Sequence, residues 1–80
     1  MWKEKDNCLY QEWVFKDFVE AFAFMTEVAL VAEREGHHPN WENVYNQVRT
    51  EWSTHDAGNI VTEKDRRLAE LITDIARKYK

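Results

Sequence analysis

The chain contains three histidines, and two of them are adjacent: His37 and His38 stand between Gly36 and Pro39, and His55 follows in the run Thr54-His55-Asp56-Ala57-Gly58. Imidazole, with an unperturbed pKa of about 6.5, is the side chain best suited to proton transfer near neutral pH. Two histidines after one helix and a third at the end of a strand form a proton-transfer cluster if those ends are neighbours. Glu33 precedes His37 by one helical turn, so its carboxylate can face the same cleft, and Trp41 offers a flat apolar wall. An acid, a base, a carboxylate and an aromatic surface suit a planar, polar heterocycle. Plainer readings stand beside this one. The helix macrodipole alone favours a histidine at a helix C-terminus, and His38 before proline reads equally as a loop residue. Trp41 and Trp52 read as core residues on their own. Zinc fits poorly, because the histidine spacing matches no standard zinc motif.

The elements that must position these side chains can be read from periodicity. Trp2 to Glu4 reads as a short strand, Lys5-Asp6-Asn7 as a turn, and Cys8 to Phe15 as a second strand with Leu9, Gln11, Trp13 and Phe15 on one face. Asp17 with Glu20 three residues later forms a capping-box pattern. A helix then follows to Glu35, stopped by Gly36 in the position that favours a left-handed conformation. Its apolar arc is wide, with Phe18, Phe22, Met25, Ala29 and Ala32 on one face and Ala21, Phe24, Val28 and Val31 beside it. Pro39 pushes His38 toward extended backbone. Asn40 to Glu42 reads as a short strand and Asn43 to Asn46 as a turn. Gln47 to Thr54 alternates, with Val48, Thr50, Trp52 and Thr54 opposite a polar face. A loop from Asp56 to Val61 leads to a Thr62/Asp65 helix start, and Leu68, Leu71, Ile72, Ile75, Ala76 and Tyr79 mark a helix over 63–78. Strand pairs separated by helices predict an α+β fold: a four-stranded antiparallel sheet with two helices packed on one face, in one domain over residues 1–80.

Composition narrows the setting. The 80 residues carry a net charge of −4, with basic residues scattered apart from Arg66-Arg67 and the tail Arg77-Lys78-Lys80. That pattern describes a solvated helix face and argues against nucleic-acid binding. No apolar stretch approaches membrane-spanning length, and the start is polar rather than signal-like. One cysteine, Cys8, cannot form an internal disulfide, so a cytoplasmic location is expected. A chain this short buries a thin core, which favours self-association.

The sequence resembles the pterin-4a-carbinolamine dehydratase family, also described as dimerisation cofactors of a homeodomain transcription factor. The matching pieces are Phe15-Lys16-Asp17-Phe18, Phe22-x-Phe24-Met25, Val28-Ala29, Ala32-Glu33-x-x-x-His37-His38-Pro39, Trp41, Asn43-Val44-Tyr45-Asn46-x-Val48, Ser53-Thr54-His55-Asp56 and Leu68-Ala69. The resemblance implies dehydration of 4a-hydroxytetrahydropterin to quinonoid dihydropterin, with no metal and no organic cofactor, by a homodimer or homotetramer. It casts His37 and His55 as the proton-transfer pair and His38 as an orienting residue. Glu33 would meet the pterin's donor edge and Trp41 would pack near its ring. Pro39, Ser53, Thr54 and Asp56 would complete the substrate contacts. The alternative it implies is a non-catalytic assembly or transcriptional cofactor module with a protein partner. Relatives of that kind tend to lose the histidines, which are all present here. Two departures stand out. The family commonly has a helix before its first tryptophan, whereas this chain begins at Met1-Trp2, so subunit contacts are expected to carry more of the burial. The loop after His55 is one residue longer than the family form.

Overall fold

The computed structural model describes residues 2–79; Met1 and Lys80, the last residue of the basic tail, lie outside it. Its elements are β1 (Lys3–Lys5), β2 (Cys8–Val14), α1 (Phe18–Glu35), β3 (Asn40–Val44), β4 (Gln47–Trp52) and α2 (Glu63–Ala76), with short 3-10 turns at His55–Ala57 and Arg77–Tyr79. The four strands form one antiparallel sheet in the order β1-β2-β4-β3. This is the expected α+β architecture.

Turn chemistry sets the first hairpin. Asp6 and Asn7 both take left-handed backbone, φ 52° and 65°, as a two-residue turn matched to strand twist demands. The hairpin therefore closes on two residues, and β1 sits one residue later than the expected Trp2–Glu4. In the second hairpin β3 runs on to Val44, which pairs with Gln47. Only Tyr45 and Asn46 make the turn, not Asn43 to Asn46. The tip is held by the Asn43 amide, which donates to the carbonyls of Tyr45 and Gln47 at 3.1 and 2.9 Å.

Alternation along β4 decides which face is covered. Val48, Thr50 and Trp52 are fully buried, while Gln47 and Arg49 are exposed. Leu9 lies opposite Trp52 in β2, and Trp13 lies opposite Val48. Both helices pack on this inner face through Ala21, Phe24, Val28 and Ala32 of α1 and Leu68, Ala69, Ile72 and Ala76 of α2. Phe24 sits at the centre, with ring centroids 5.5 Å from Trp13 and 4.8 Å from Phe15. Truncating such a buried ring costs about 3–5 kcal/mol.

The phase of α1 differs from the expected one. Phe18 and Phe22 are 47% and 55% exposed and Ala29 is exposed as well, while the small residues Ala21 and Ala32 face the sheet. An arc apolar nearly all round does not fix a helix's rotation. The sheet selects the side where alanines permit close approach and one phenylalanine fills the centre.

The two ends of α1 are both capped. The Asp17 carboxylate accepts from the Glu20 backbone N–H at 2.9 Å, but the Glu20 carboxylate turns to the N–H of Lys16 instead of completing a reciprocal box. At the far end Gly36 takes φ 65°. Its N–H donates to Glu33 and the N–H of His37 donates to Ala32. This is the Schellman pattern, in which the second residue past the helix is folded back against its last turn. Here that residue is His37. α2 ends at Ala76 and tightens into the 3-10 turn, whose Tyr79 stands edge-on to Phe15 and Phe24.

Candidate active site

His37 is buried, 8% exposed, because the helix ending turns it inward. Its ring lies 5.5 Å from that of Trp52. Its Nε2 is 2.6 Å from Oδ1 of Asp65, a carboxylate with no exposed surface. A buried carboxylate is tolerated only when its lone pairs are satisfied. Asp65 is satisfied on both oxygens: Oδ2 accepts from the Thr54 hydroxyl and from the backbone N–H of Thr62, each at 2.8 Å. The Thr62 hydroxyl in turn donates to that of Thr54. The Asp65 carboxylate thus supplies the reciprocal half of the α2 capping box and also holds an imidazole. A carboxylate only accepts, so the Nε2 of His37 carries a proton, while Nδ1 has no hydrogen-bond partner among the described residues.

His38 lies one residue on, exposed, with Nε2 2.9 Å from Oε1 of Glu33. His55 opens the 3-10 turn after β4. Its Nδ1 is 3.1 Å from Oδ1 of Asn59. The three imidazoles share one small open cleft of about 200 Å³, lined also by Gly36, Ser53, Thr54, Asp56 and Lys64. A volume below that of drug-sized ligand pockets suits a compact planar molecule. A larger depression of about 420 Å³ lies on the uncovered sheet face among Tyr10, Arg49 and Glu51. It brings together none of the histidines, so the chemistry points to the smaller cleft.

Of the residues singled out in the sequence, His37, His38, Ser53, Thr54, His55 and Asp56 line the cleft. Others fall elsewhere. Thr54 turns its hydroxyl inward to Asp65 rather than outward. Glu33 reaches the site only through His38, with its side chain 83% exposed. Pro39 is half-buried behind His38. Trp41 pairs with Thr50 on the covered side of the sheet and packs against the core. It is not a wall of this cleft, because odd-numbered positions of β3 face the helices.

Asp65, Asn59 and Lys64 were not singled out. Asp65 left a readable trace: it falls in phase with Leu68, Ile72 and Ala76, an acid on an apolar stripe. Its capping signature accounted for it as a helix start and concealed the second role. Asn59 and Lys64 left none, since a polar residue in a loop and a lysine in a first helical turn are commonplace.

Comparison with known proteins identifies the family. The family model described as pterin 4 alpha carbinolamine dehydratase matches residues 1–75. A protein of Prochlorococcus marinus subsp. pastoris, provisionally named a pterin-4-alpha-carbinolamine dehydratase, is 49% identical over 96% of this chain and 79% of its own length. One of the same name from Nitrobacter winogradskyi is 58% identical over 90% of this chain and 70% of its own. A solved transcriptional coactivator/pterin dehydratase from Brucella melitensis superposes with TM-score 0.89 at 42% identity, over 94% of this chain and 81% of that one. A pterin dehydratase-like protein identified as a RuBisCO assembly factor in the alpha-carboxysome shares the fold at TM-score 0.76 and 22% identity, covering 95% and 87%. The chain belongs to the pterin 4 alpha carbinolamine dehydratase family, a family of hydro-lyases.

Proposed function

We propose that the protein dehydrates 4a-hydroxytetrahydropterin by histidine general acid/base catalysis, giving quinonoid dihydropterin and water in pterin cofactor recycling. The observation that carries this reading is the convergence of His37, His38 and His55 on one cleft, each with one ring nitrogen already bonded to a side chain of the protein. The reaction needs two proton movements. The C4a hydroxyl leaves as water only if it receives a proton, and the N5–H of the ring must give one up. His37 and His55 serve as the proton-transfer pair, and His38, steadied by Glu33, orients the ring. Ser53 and Asp56 supply polar contacts at the rim. Positioned acids and bases contribute typically about 10²–10⁴-fold. The scheme calls for no metal or organic cofactor.

A second reading is a non-catalytic assembly or transcriptional cofactor module, by analogy with the carboxysome relative, which is identified as an assembly factor. The three cleft-lining histidines favour turnover. Self-association of the subunits as a dimer or tetramer belongs to the same proposal. Phe18, Val19, Phe22 and Leu30 leave an uncharged apolar stripe exposed on α1, of the self-complementary kind that symmetric assemblies use. Among the described residues no helix is long and apolar enough to cross a membrane, and the lone Cys8 fits a cytoplasmic setting. The test is the loss of the carbinolamine's ultraviolet signal, followed in the wild type, His37→Ala and His55→Ala. Both variants should slow at least about tenfold, the low end for losing a general acid or base. Unchanged rates in both would refute the reading.

A further inference from the structure

The three imidazoles are held by different kinds of partner. His37 and His38 give Nε2 to carboxylates, Asp65 and Glu33. His55 alone gives Nδ1, and gives it to a neutral amide, Asn59. We propose that Asn59 is a positioning residue that fixes His55 in the Nδ1–H tautomer, so that Nε2 enters the reaction as a bare lone pair and His55 begins the cycle as the base. This rests on the dehydratase reading and deepens it by assigning one of its two proton transfers.

The loop is built to deliver that amide. Thr54 pairs with Ile60 across its neck, the Thr54 N–H donating to Ile60 at 2.8 Å. Within the neck the Thr54 carbonyl accepts from Ala57 at 3.2 Å and Asn59 at 3.0 Å, and the His55 carbonyl accepts from Gly58 at 3.0 Å. Gly58 and Asn59 both take left-handed backbone, φ 89° and 60°. Two such residues in succession turn the chain back on itself, and asparagine is among the few side-chain-bearing residues at ease there. The reversal returns the Asn59 side chain to His55, four residues earlier. A neutral imidazole donates from one nitrogen and accepts at the other, so the partner of one nitrogen sets the role of the other. With an amide oxygen on Nδ1, the proton sits on Nδ1. The substrate's N5–H proton can then pass to Nε2 while the C4a hydroxyl leaves as water with a proton from His37, delivered from Nδ1 as Nε2–H stays on Asp65, and the resulting His55 imidazolium keeps its Nδ1–H bond to Asn59 throughout. Without a partner, a histidine side chain prefers its proton on Nε2, the wrong nitrogen for a base.

The substitution that tests this is Asn59→Gly, which keeps the left-handed backbone accessible while removing the amide. Asn59→Asp is the rescue variant, because it restores an acceptor at the same place. Long-range proton–nitrogen NMR of the free protein, at a pH where His55 is neutral, reads the tautomer directly and needs no turnover. Expected are an Nδ1–H signature in the wild type and Asn59→Asp, and a shift to Nε2–H in Asn59→Gly. In the dehydration assay kcat should fall about tenfold in Asn59→Gly, a modest share of what a wrong tautomer costs a catalytic histidine, with KM little changed and kcat recovered in Asn59→Asp. An Nε2–H signature in the wild type, or the same tautomer in wild type and Asn59→Gly, overturns the proposal. Correct tautomers in a wild type without dehydratase activity would instead overturn the dehydratase reading and leave the role of Asn59 standing.

Discussion

α1 and α2 are fastened at both ends of α2, with Arg67 also bonding Glu35, and the buried joint at one end is made of different material from the joint at the other. At its start Asp65 is wholly buried and takes hydrogen bonds from His37, Thr54 and Thr62. At its end Glu27 of α1 takes hydrogen bonds from Lys78 and Tyr79 in a half-exposed setting. Both joints place one acid between the helices. In the first, low dielectric makes each missing partner expensive and locks the imidazole in one orientation. In the second, water can replace whatever is lost. Precision is concentrated where the histidines converge, and the opposite end is fastened by aromatic packing with a wet clamp on top.

Breaking the buried joint should have the largest effect. Asp65→Ala leaves the donors of His37, Thr54 and Thr62 without an acceptor, so it should lower stability by about 3 kcal/mol, summed over buried donors left unsatisfied. Dehydratase activity should fall at least about tenfold, because the His37 ring is no longer fixed. Urea denaturation and the carbinolamine assay measure the two losses, and a stable, active variant would erase the contrast between the joints. Next comes His37→Gln, which should lose activity on the same scale of at least about tenfold while losing less stability than Asp65→Ala, since a polar partner for the acid remains.

At the wet joint, Tyr79→Phe should cost about 1 kcal/mol or less after allowance for solvent, and should leave turnover unchanged. The Glu27 hydrogen bond, aided by burial and by the charge of Glu27, pushes the Tyr79 hydroxyl up to about 12 from an ordinary 10.0. The proton is therefore held more tightly in the folded state. This contribution is intact below about pH 10 and disappears as pH rises to about 12. The denaturation midpoint of the wild type should decline more steeply than that of Tyr79→Phe across that window. Equal slopes would mean the clamp contributes nothing. Hydrogen bonds from Lys78 and then Tyr79 hold Glu27 below the usual carboxylate range, against a small opposing effect of burial. Its share is thus present at neutral pH and vanishes only as pH falls through that lowered value. The smallest effect expected on the isolated subunit is that of Phe22→Arg on α1. It should leave the fold intact yet shift the sedimentation coefficient toward monomer, and an unchanged coefficient would remove that stripe from the assembly.

The sequence announced the framework through local chemistry. Asp17 and Gly36 bracketed α1 because caps act over one turn, and the strict alternation from Gln47 to Thr54 identified the covered face of β4. The rotation of α1 was not legible, because an arc apolar nearly all round contains no directional signal. Nor was the length of β3, where hydrogen bonds from the Asn43 side chain to Tyr45 and Gln47 let strand pairing outlast a run of turn-forming residues. In the cleft, His37, His38 and His55 stood out as the chain's whole stock of histidines. Their partners did not: Asp65 was masked by its service to a helix cap, and Asn59 is an ordinary loop residue until the backbone doubles back. The packing of Trp41 on the covered side of the sheet follows from its register, which its residue type does not reveal.

The double duty of Asp65 has a consequence for motion. The same carboxylate closes the first turn of α2 and grips His37, so that turn cannot fray without releasing the imidazole. Amide hydrogen exchange at Thr62, Asp65 and Arg66 should therefore report on the readiness of the cleft, slowing when a ligand engages His37 and quickening when the ring is deleted.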